Sequence, residues 1–241
     1  MCNKKYKRVL LFSFIVIMII GIFTVIYINI CSKNNKSDRI DKNNKSYRVD
    51  KNNKFLILVN KDNPLPEDYE VNVKWLNNGK QCVASEIYND LRDMLTDGTN
   101  EGLIFVVSSG YRSEEYQSEL LDEAIQVNMT MKEMDYDEAY SDAIMTLAPP
   151  GTSEHSTGLA LDIVSLDYQN LDDNQQYTDE NKWLRKNCYK YGFILRYPKE
   201  KEDITGIEYE SWHFRYVGKS VAKYITKNNL TLEEYLQGDR K

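Results

Sequence analysis

The chain has 241 residues, with 31 Lys or Arg and 37 Asp or Glu, and a formal net charge of −6 at pH 7. Residues 1–54 hold 12 of the basic and 3 of the acidic residues, so residues 55–241 keep 19 and 34 and carry a net charge of −15. A region this acidic is repelled by phosphate backbones, which excludes nucleic acid as an expected partner. Residues 55–241 are enough for one domain with a hydrophobic core of ordinary size and too few for two domains of ordinary size.

The N-terminus predicts a membrane segment. Residues 1–8 contain four basic side chains, and residues 9–31 carry no formal charge and are nearly all aliphatic or aromatic. As a helix rising ~1.5 Å per residue, residues 9–31 are long enough to cross a hydrocarbon core of ~30 Å. The basic flank keeps residues 1–8 in the cytoplasm and sends the rest of the chain outside. We therefore expect a single-pass protein of the cell membrane with an extracytoplasmic domain; a cleaved signal peptide is the alternative.

Residues 32–54 are expected to be a disordered linker. A nine-residue polar unit beginning Lys-Asn-Asn-Lys occurs twice here and then begins a third time. With two small apolar positions per unit, this segment cannot bury enough surface to offset the entropy lost on ordering. Two and a half units are also too few and too polar for a solenoid. The folded domain is expected to cover residues 55–241.

The elements expected in the domain mix strands and helices without a βαβ rhythm. Apolar runs predict strands at residues 55–59, 103–107, 158–164 and 212–217, of which 103–107 has the composition of a buried strand. Helical periodicity predicts helices at residues 86–95, from Ser113 onward, at 137–147 and at 181–191. We expect the α+β class: a small antiparallel sheet flanked by helices, with a metal site on the sheet face.

The domain has two cysteines, Cys82 and Cys188, and they lack the spacing of a paired metal knuckle. Outside the cytoplasm they could form one disulfide. The sequence cannot show whether they meet in space, so both states stay open.

Only two histidines occur in the chain, and each lies in a cluster of polar residues. In the expected strand that contains Asp162, Gly158 and Ala160 share its face, and their small side chains leave room for a metal ion. His155, Asp162 and His213 can supply three protein ligands with one position open, as a hydrolytic zinc ion needs. Taken singly, Asp162 is better explained as a strand-end charge and His155 as a surface side chain, and His213 fits a hydrogen-bonded core histidine equally well. Together the three residues predict a zinc site.

Glu210 stands three residues before His213, and on a regular strand their side chains would point to opposite faces. A shared site therefore requires a bend or bulge between them. With a metal nearby, Glu210 is the candidate base that takes a proton from the attacking water, and Glu154 is the second candidate.

Arg112 lies where the strand at 103–107 gives way to the next helix. Its planar, permanently charged guanidinium could hold a substrate carboxylate or polarise a scissile carbonyl. The alternative is an ordinary surface arginine paired with Glu114 or Glu115.

Three motifs carry a resemblance to a known family: Ser-Gly-Tyr-Arg-Ser at 109–113, Ser-x-His-x-x-Gly-x-Ala-x-Asp at 153–162, and Glu-x-Trp-His at 210–213. In this combination the chain resembles the zinc D-alanyl-D-alanine carboxypeptidases of the VanY type over essentially residues 55–241. The family usually has proline after the glutamate of the last motif, whereas this chain has Ser211.

Carried over by position, the resemblance implies a Zn²⁺ ion bound by His155, Asp162 and His213. It implies Glu210 as the catalytic base and Arg112 as the group that polarises or anchors the substrate. It further implies substrate contacts from Gln117 and Ser153.

The resemblance also implies trimming of cell-wall peptides outside the membrane. We therefore expect a membrane-anchored zinc D,D-carboxypeptidase that removes the C-terminal D-Ala from peptidoglycan stem peptides or their precursors. An L,D-carboxypeptidase acting on tetrapeptide stems has the same metal site and remains the alternative. A D-Ala-D-Ala dipeptidase, with its cytoplasmic substrate, fits the outward topology less well. A non-catalytic, metal-dependent wall-binding module would keep the three ligands but would not need Glu210.

Overall fold

The computed structural model of the protein describes residues 50, 53–77 and 79–238. The predicted cytoplasmic tail, the membrane segment at 9–31 and nearly all of the linker at 32–54 lie outside these residues. Within the described residues, none of the helices combines the length and the apolar character needed to cross a membrane. The described residues belong to one compact unit.

A four-stranded antiparallel sheet forms the centre of this unit. Its strands are β3 (Phe105–Ser109), β4 (Ala160–Ser165), β5 (Phe193–Tyr197) and β6 (Glu210–Tyr216). Their order across the sheet is β3-β4-β6-β5. A separate antiparallel pair consists of β1 (Val73–Trp75) and β2 (Cys82–Ala84). The prediction of an α+β fold with a small antiparallel sheet is confirmed.

Helices flank the sheet. The α-helices of the described residues are α1 (Tyr88–Asn100), α2 (Glu114–Met131), α3 (Tyr136–Ala143), α4 (Asp179–Asn187), α5 (Glu202–Thr205), α6 (Lys219–Asn228) and α7 (Leu232–Gln237). Short 3₁₀ helices lie at Lys54–Leu56, Glu154–Thr157, Asp173–Tyr177 and Cys188–Tyr191. The Ser113 side chain caps α2 by accepting from the Tyr116 backbone N–H, as the sequence predicted.

The hydrophobic core lies on one face of the central sheet. Leu161 of β4 and Phe214 of β6 are fully buried there, together with Leu91 of α1 and Leu184 of α4. Successive side chains of a strand alternate between faces. The opposite face of β4 and β6 is therefore free to carry polar groups, and the candidate site lies there.

The prediction of a strand at residues 55–59 is wrong. The chain forms the 3₁₀ helix Lys54–Leu56 instead, and residues 57–59 have no regular structure. The carbonyl oxygens of Phe55 and Ile57 accept hydrogen bonds from Nη2 of Arg215, at 3.0 and 2.8 Å. A side chain thus satisfies backbone groups that a neighbouring strand would otherwise have to pair.

Several further boundaries differ from the prediction; the helix expected at 137–147 is Tyr136–Ala143, and the strand expected at 158–164 is Ala160–Ser165. Helix α1 continues through Gly98 to Asn100, and the missing side chain of Gly98 leaves room for the Phe105 ring; a Cβ at Gly98 would lie 2.4 Å from that ring. Strand β3 starts two residues later than predicted and is an edge strand rather than a buried one, with Ile104 54% exposed beside it. Continuous apolar character did not distinguish an edge from a centre.

The two cysteines of the domain are both buried and both free thiols. Cys82 lies in β2, and Cys188 begins the last of the 3₁₀ helices. Burial raises the pKa of the Cys188 thiol to about 12, so this side chain behaves as a small apolar group.

Candidate metal centre

Strand pairing places Asp162 and His213 side by side. Asp162 of β4 is directly opposite His213 of β6 in the antiparallel register, and residues opposite one another share a face of the sheet. His155 comes from the 3₁₀ helix Glu154–Thr157, just before β4. Gly158 ends that helix with φ 68°, a left-handed conformation that glycine adopts without strain, and turns the chain into the strand.

The three predicted ligands converge. One ligand atom from each of His155, Asp162 and His213 lies within 4.8 Å of the others, and all three residues are buried. His155 Nε2 is 3.4 Å from Asp162 Oδ2, and His213 Nδ1 is 3.2 Å from Asp162 Oδ1. Among the described residues Asp162 Oδ1 accepts no hydrogen bond, although it is buried. Two imidazole nitrogens and a carboxylate with one oxygen that accepts no hydrogen bond form a set suited to a zinc ion.

The two histidines offer different ring nitrogens. His155 Nδ1 is 2.8 Å from the Gly110 carbonyl oxygen and donates to it in the neutral tautomer, which leaves Nε2 facing Asp162. His213 faces Asp162 with Nδ1, and its Nε2 lies on the far side of the ring. Gly110 can bring its carbonyl into place because it has no side chain; a Cβ there would lie 2.3 Å from the Cys82 carbonyl oxygen.

The predicted irregularity before His213 is confirmed. Leu195 pairs with Phe214 and Tyr197 with Glu210, so a two-residue step on β5 matches a four-residue step on β6. The bulge brings Glu210 Oε2 to 3.5 Å from His213 Nδ1 and leaves the Glu210 side chain 19% exposed. Burial is the largest influence on Glu210 and raises its pKa to about 7, with the nearby His213 opposing the rise.

A second bulge shapes the Arg112 side of the site. Val107 pairs with Ile163 and Ser109 with Asp162, so the extra residue is on β3. Arg112 Nε donates to Ser109 Oγ at 2.8 Å, and Arg112 Nη2 lies 3.3 Å from Asp162 Oδ2. The structure therefore places Arg112 at the candidate metal centre, in contact with a predicted ligand.

The two predicted substrate contacts are also nearby. Gln117 is fully buried; its Oε1 accepts from Arg112 Nη1 at 3.4 Å, and its Nε2 donates to the Ala148 carbonyl at 2.7 Å. Ser153 is buried and directly precedes the 3₁₀ helix that carries His155. Both residues border the site, and their contact with a substrate stays a prediction.

Glu154, the second candidate base, has a different environment. Its side chain is fully buried, and Oε1 accepts from Arg196 Nε and Arg215 Nη1, both at 2.8 Å. Burial alone would raise the pKa of Glu154, but the two guanidinium groups outweigh it and hold that pKa far below its usual range. So weak a base, locked by two arginines, is a poor proton acceptor, and Glu210 remains the candidate.

Sequence comparison gives the same family as the motifs. Residues 80–219 match the profile of the VanY family, described as D-alanyl-D-alanine carboxypeptidase. A D-alanyl-D-alanine carboxypeptidase of Enterococcus faecalis is 40% identical over 185 residues, which cover 77% of this chain. The chain spans 66% of the length of that relative.

Solved structures of D,D- and L,D-carboxypeptidases resemble the domain. A variant of the vancomycin resistance D,D-pentapeptidase VanY from a VanB-type cassette, in complex with Zn(II), has a TM-score of 0.67 and 39% identity, covering 76% of this chain and 99% of that one. VanYB in complex with D-alanine-D-alanine has a TM-score of 0.67 and 40% identity, covering 76% and 97%. The structure of the LdcB LD-carboxypeptidase, which reveals the molecular basis of peptidoglycan recognition, has a TM-score of 0.65 and 37% identity. The match covers 80% of this chain and 93% of that one.

Proposed function

Because this chain belongs to the VanY family of D-alanyl-D-alanine carboxypeptidases, we propose that it is a zinc D,D-carboxypeptidase acting on peptidoglycan stem peptides or their precursors. The reaction is removal of the C-terminal D-Ala. The observation that carries the proposal is the convergence of His155, Asp162 and His213 within 4.8 Å, with Glu210 3.5 Å from His213. Relatives crystallised with Zn(II) and with D-alanine-D-alanine support the metal and the substrate class.

The side chains of the site divide the work of peptide hydrolysis. When bound, zinc supplies a Lewis acid that polarises the scissile carbonyl and activates water at neutral pH. Glu210 accepts the proton of the attacking water and returns it to the leaving amine of D-Ala. Arg112 binds the terminal carboxylate or the scissile carbonyl oxygen of the substrate with its planar fork. Because Ser109 and Gln117 already hold Arg112, little side-chain entropy is lost when the substrate binds.

An L,D-carboxypeptidase is the second candidate, and one observation favours it. The LdcB LD-carboxypeptidase is nearly as similar to this chain as the D,D-enzymes are, in both identity and TM-score. The placement of Glu210 beside His213 favours either enzyme over a wall-binding module that has no use for a base.

Cleavage of defined stem peptides separates the two activities. The full-length chain, purified in mild detergent and loaded with zinc, is incubated with a pentapeptide stem and with a tetrapeptide stem, and the products are identified by mass spectrometry. We expect the pentapeptide to lose one D-Ala and the tetrapeptide to stay intact. Conversion of the tetrapeptide to a tripeptide would show L,D-activity instead. Chelator-treated protein is the control, and intact peptides throughout would refute the proposal.

We also propose that the domain acts outside the cell membrane, held by residues 9–31. The support is in the sequence: an uncharged apolar segment of spanning length preceded by four basic residues. Protease added to intact spheroplasts should remove the domain and leave a membrane-bound stub, while a cytoplasmic marker stays intact. A domain protected from the protease, or released with a new N-terminus near residue 32, would contradict the anchored topology.

A further inference from the structure

The two histidines of the site differ in the hydrogen-bond partner of the ring nitrogen that points away from Asp162. His155 donates from its non-ligating nitrogen to the Gly110 carbonyl at 2.8 Å. For His213 the corresponding nitrogen is Nε2, which is buried and has no hydrogen-bond partner among the described residues. Glu154 Oε2 is likewise buried and without a partner there. These two atoms face one another at 3.5 Å.

Metal binding fixes which of these atoms carries a proton. If Nδ1 of His213, the nitrogen that faces Asp162, binds a cation, the neutral ring keeps its proton on Nε2. A carboxylate oxygen is then the natural acceptor, and Glu154 Oε2 provides one. An approach of about 0.5 Å would bring the pair to ordinary hydrogen-bond length and satisfy both buried atoms at once.

The other carboxylate oxygen of Glu154, Oε1, is held by two arginines, which keep the side chain ionised and fix its position. Arg196 Nε and Arg215 Nη1 both donate to Oε1 at 2.8 Å. Arg196 also pairs with Glu233 of α7. Two carboxylates and two guanidinium groups cancel in formal charge, which lets the group stay buried. The carboxylate therefore presents Oε2 to His213 in a fixed position.

We propose that Glu154 is a positioning residue that orients His213 through its Nε2–H and strengthens the bond from Nδ1 to the metal. A carboxylate behind a ligating imidazole selects the tautomer and raises the basicity of the ligand. Glu154 is buried, and the role proposed for it is to orient a ligand rather than to bind the substrate; this role depends on the proposed zinc enzyme. The neutral Gly110 carbonyl accepts from the other ring nitrogen, Nδ1 of His155, and so fixes that ring without the added charge.

The test compares two matched substitutions in the full-length chain. Glu154→Gln keeps the size of the side chain but turns an amide toward His213 or toward the arginines. Zinc affinity, measured by competition with a chromophoric chelator, should fall about 10- to 100-fold. Glu233→Gln makes the same change in the same network but on a residue that pairs with Arg196 and not with His213, so it should lower zinc affinity far less than Glu154→Gln does. The melting temperatures of both metal-free variants report the loss of the buried ion pairs.

The outcomes separate this role from the enzyme itself. Wild-type zinc affinity in Glu154→Gln, with wild-type protein active, would overturn the role and leave the enzyme standing. An equal loss in Glu233→Gln would also overturn it, because the network and not Glu154 would be responsible. Wild-type protein that neither binds zinc nor cleaves stem peptides would remove the proposed function first.

A measurement on wild-type protein applies even if Glu154→Gln does not fold. The chain has only two histidines, so its ¹⁵N-histidine NMR spectrum contains two rings. In the zinc-loaded protein we expect one ring protonated at Nδ1 and the other at Nε2, with the Nε2 proton shifted downfield and slow to exchange. Protonation of both rings at the same nitrogen, or fast exchange of the Nε2 proton, would contradict the role of Glu154.

Discussion

Replacing Glu210 by Gln should lower the rate of D-Ala release from a pentapeptide by at least ~100-fold while the zinc content stays near that of wild type. The amide keeps the shape of the side chain but cannot accept the proton of the attacking water. Glu210 is the carboxylate that the bulge of β6 brings beside His213, whereas Glu154 is locked between two arginines. Steady-state release of D-Ala and metal analysis of the same samples give the two quantities.

The pH profile gives this prediction a second readout. Burial raises the pKa of Glu210 to about 7 in the metal-free protein, and a neighbouring cation lowers it from there. Because the base works only when ionised, wild-type kcat/KM should fall as the pH falls through this pKa, at or below about pH 7. Glu208→Gln, on an exposed residue just before the strand, is the matched control and should behave as wild type. Loss of zinc from Glu210→Gln would make Glu210 a ligand, and near-normal turnover would place the base elsewhere.

Replacing His213 by Ala should remove both the zinc and the activity. Wild-type protein is expected to hold about one zinc per chain, through two nitrogens and one carboxylate oxygen. The substitution removes the nitrogen that faces Asp162 Oδ1 at 3.2 Å and leaves two ligands. Metal analysis and D-Ala release on the full-length chain measure both losses, with chelator-stripped wild type as the control for folding. Full metal content in the variant would refute the assignment of the site.

Local signals predicted several elements correctly. The helix expected from Ser113 onward is capped by Ser113, and the helical segment expected at 181–191 ends at Gly192 with φ 93°, because a cap and a left-handed glycine act within a few residues of sequence. The strand expected at 55–59 failed for the opposite reason. The backbone carbonyls of this segment accept hydrogen bonds from the side chain of Arg215, about 160 residues further along the chain, and no local pattern encodes that contact.

In the candidate site, too, local features could be predicted from the sequence and long-range contacts could not. His155 and Asp162 stand within one short motif, and the three-residue spacing of Glu210 and His213 indicated a bulge that the strand pairing confirms. The environment of Glu154 depends on arginines from two strands. Of those arginines, Arg196 is the one charged residue of β5, and both are buried in the domain, so the available signal for a buried ion pair was the charge of Arg196 in an otherwise apolar or aromatic strand.

The grip of Arg215 on the first residues of the domain has a mechanical consequence. Phe55 and Ile57 are held by the same guanidinium that holds Glu154 behind His213. If the chain is tethered through its N-terminus, a force on the tether reaches the domain at this point and acts on a side chain that supports the candidate metal centre. A fragment made to begin after residue 57 would remove both carbonyls and leave buried N–H groups without partners. Soluble versions of the domain should therefore start before Asn53, whose side chain caps the first turn.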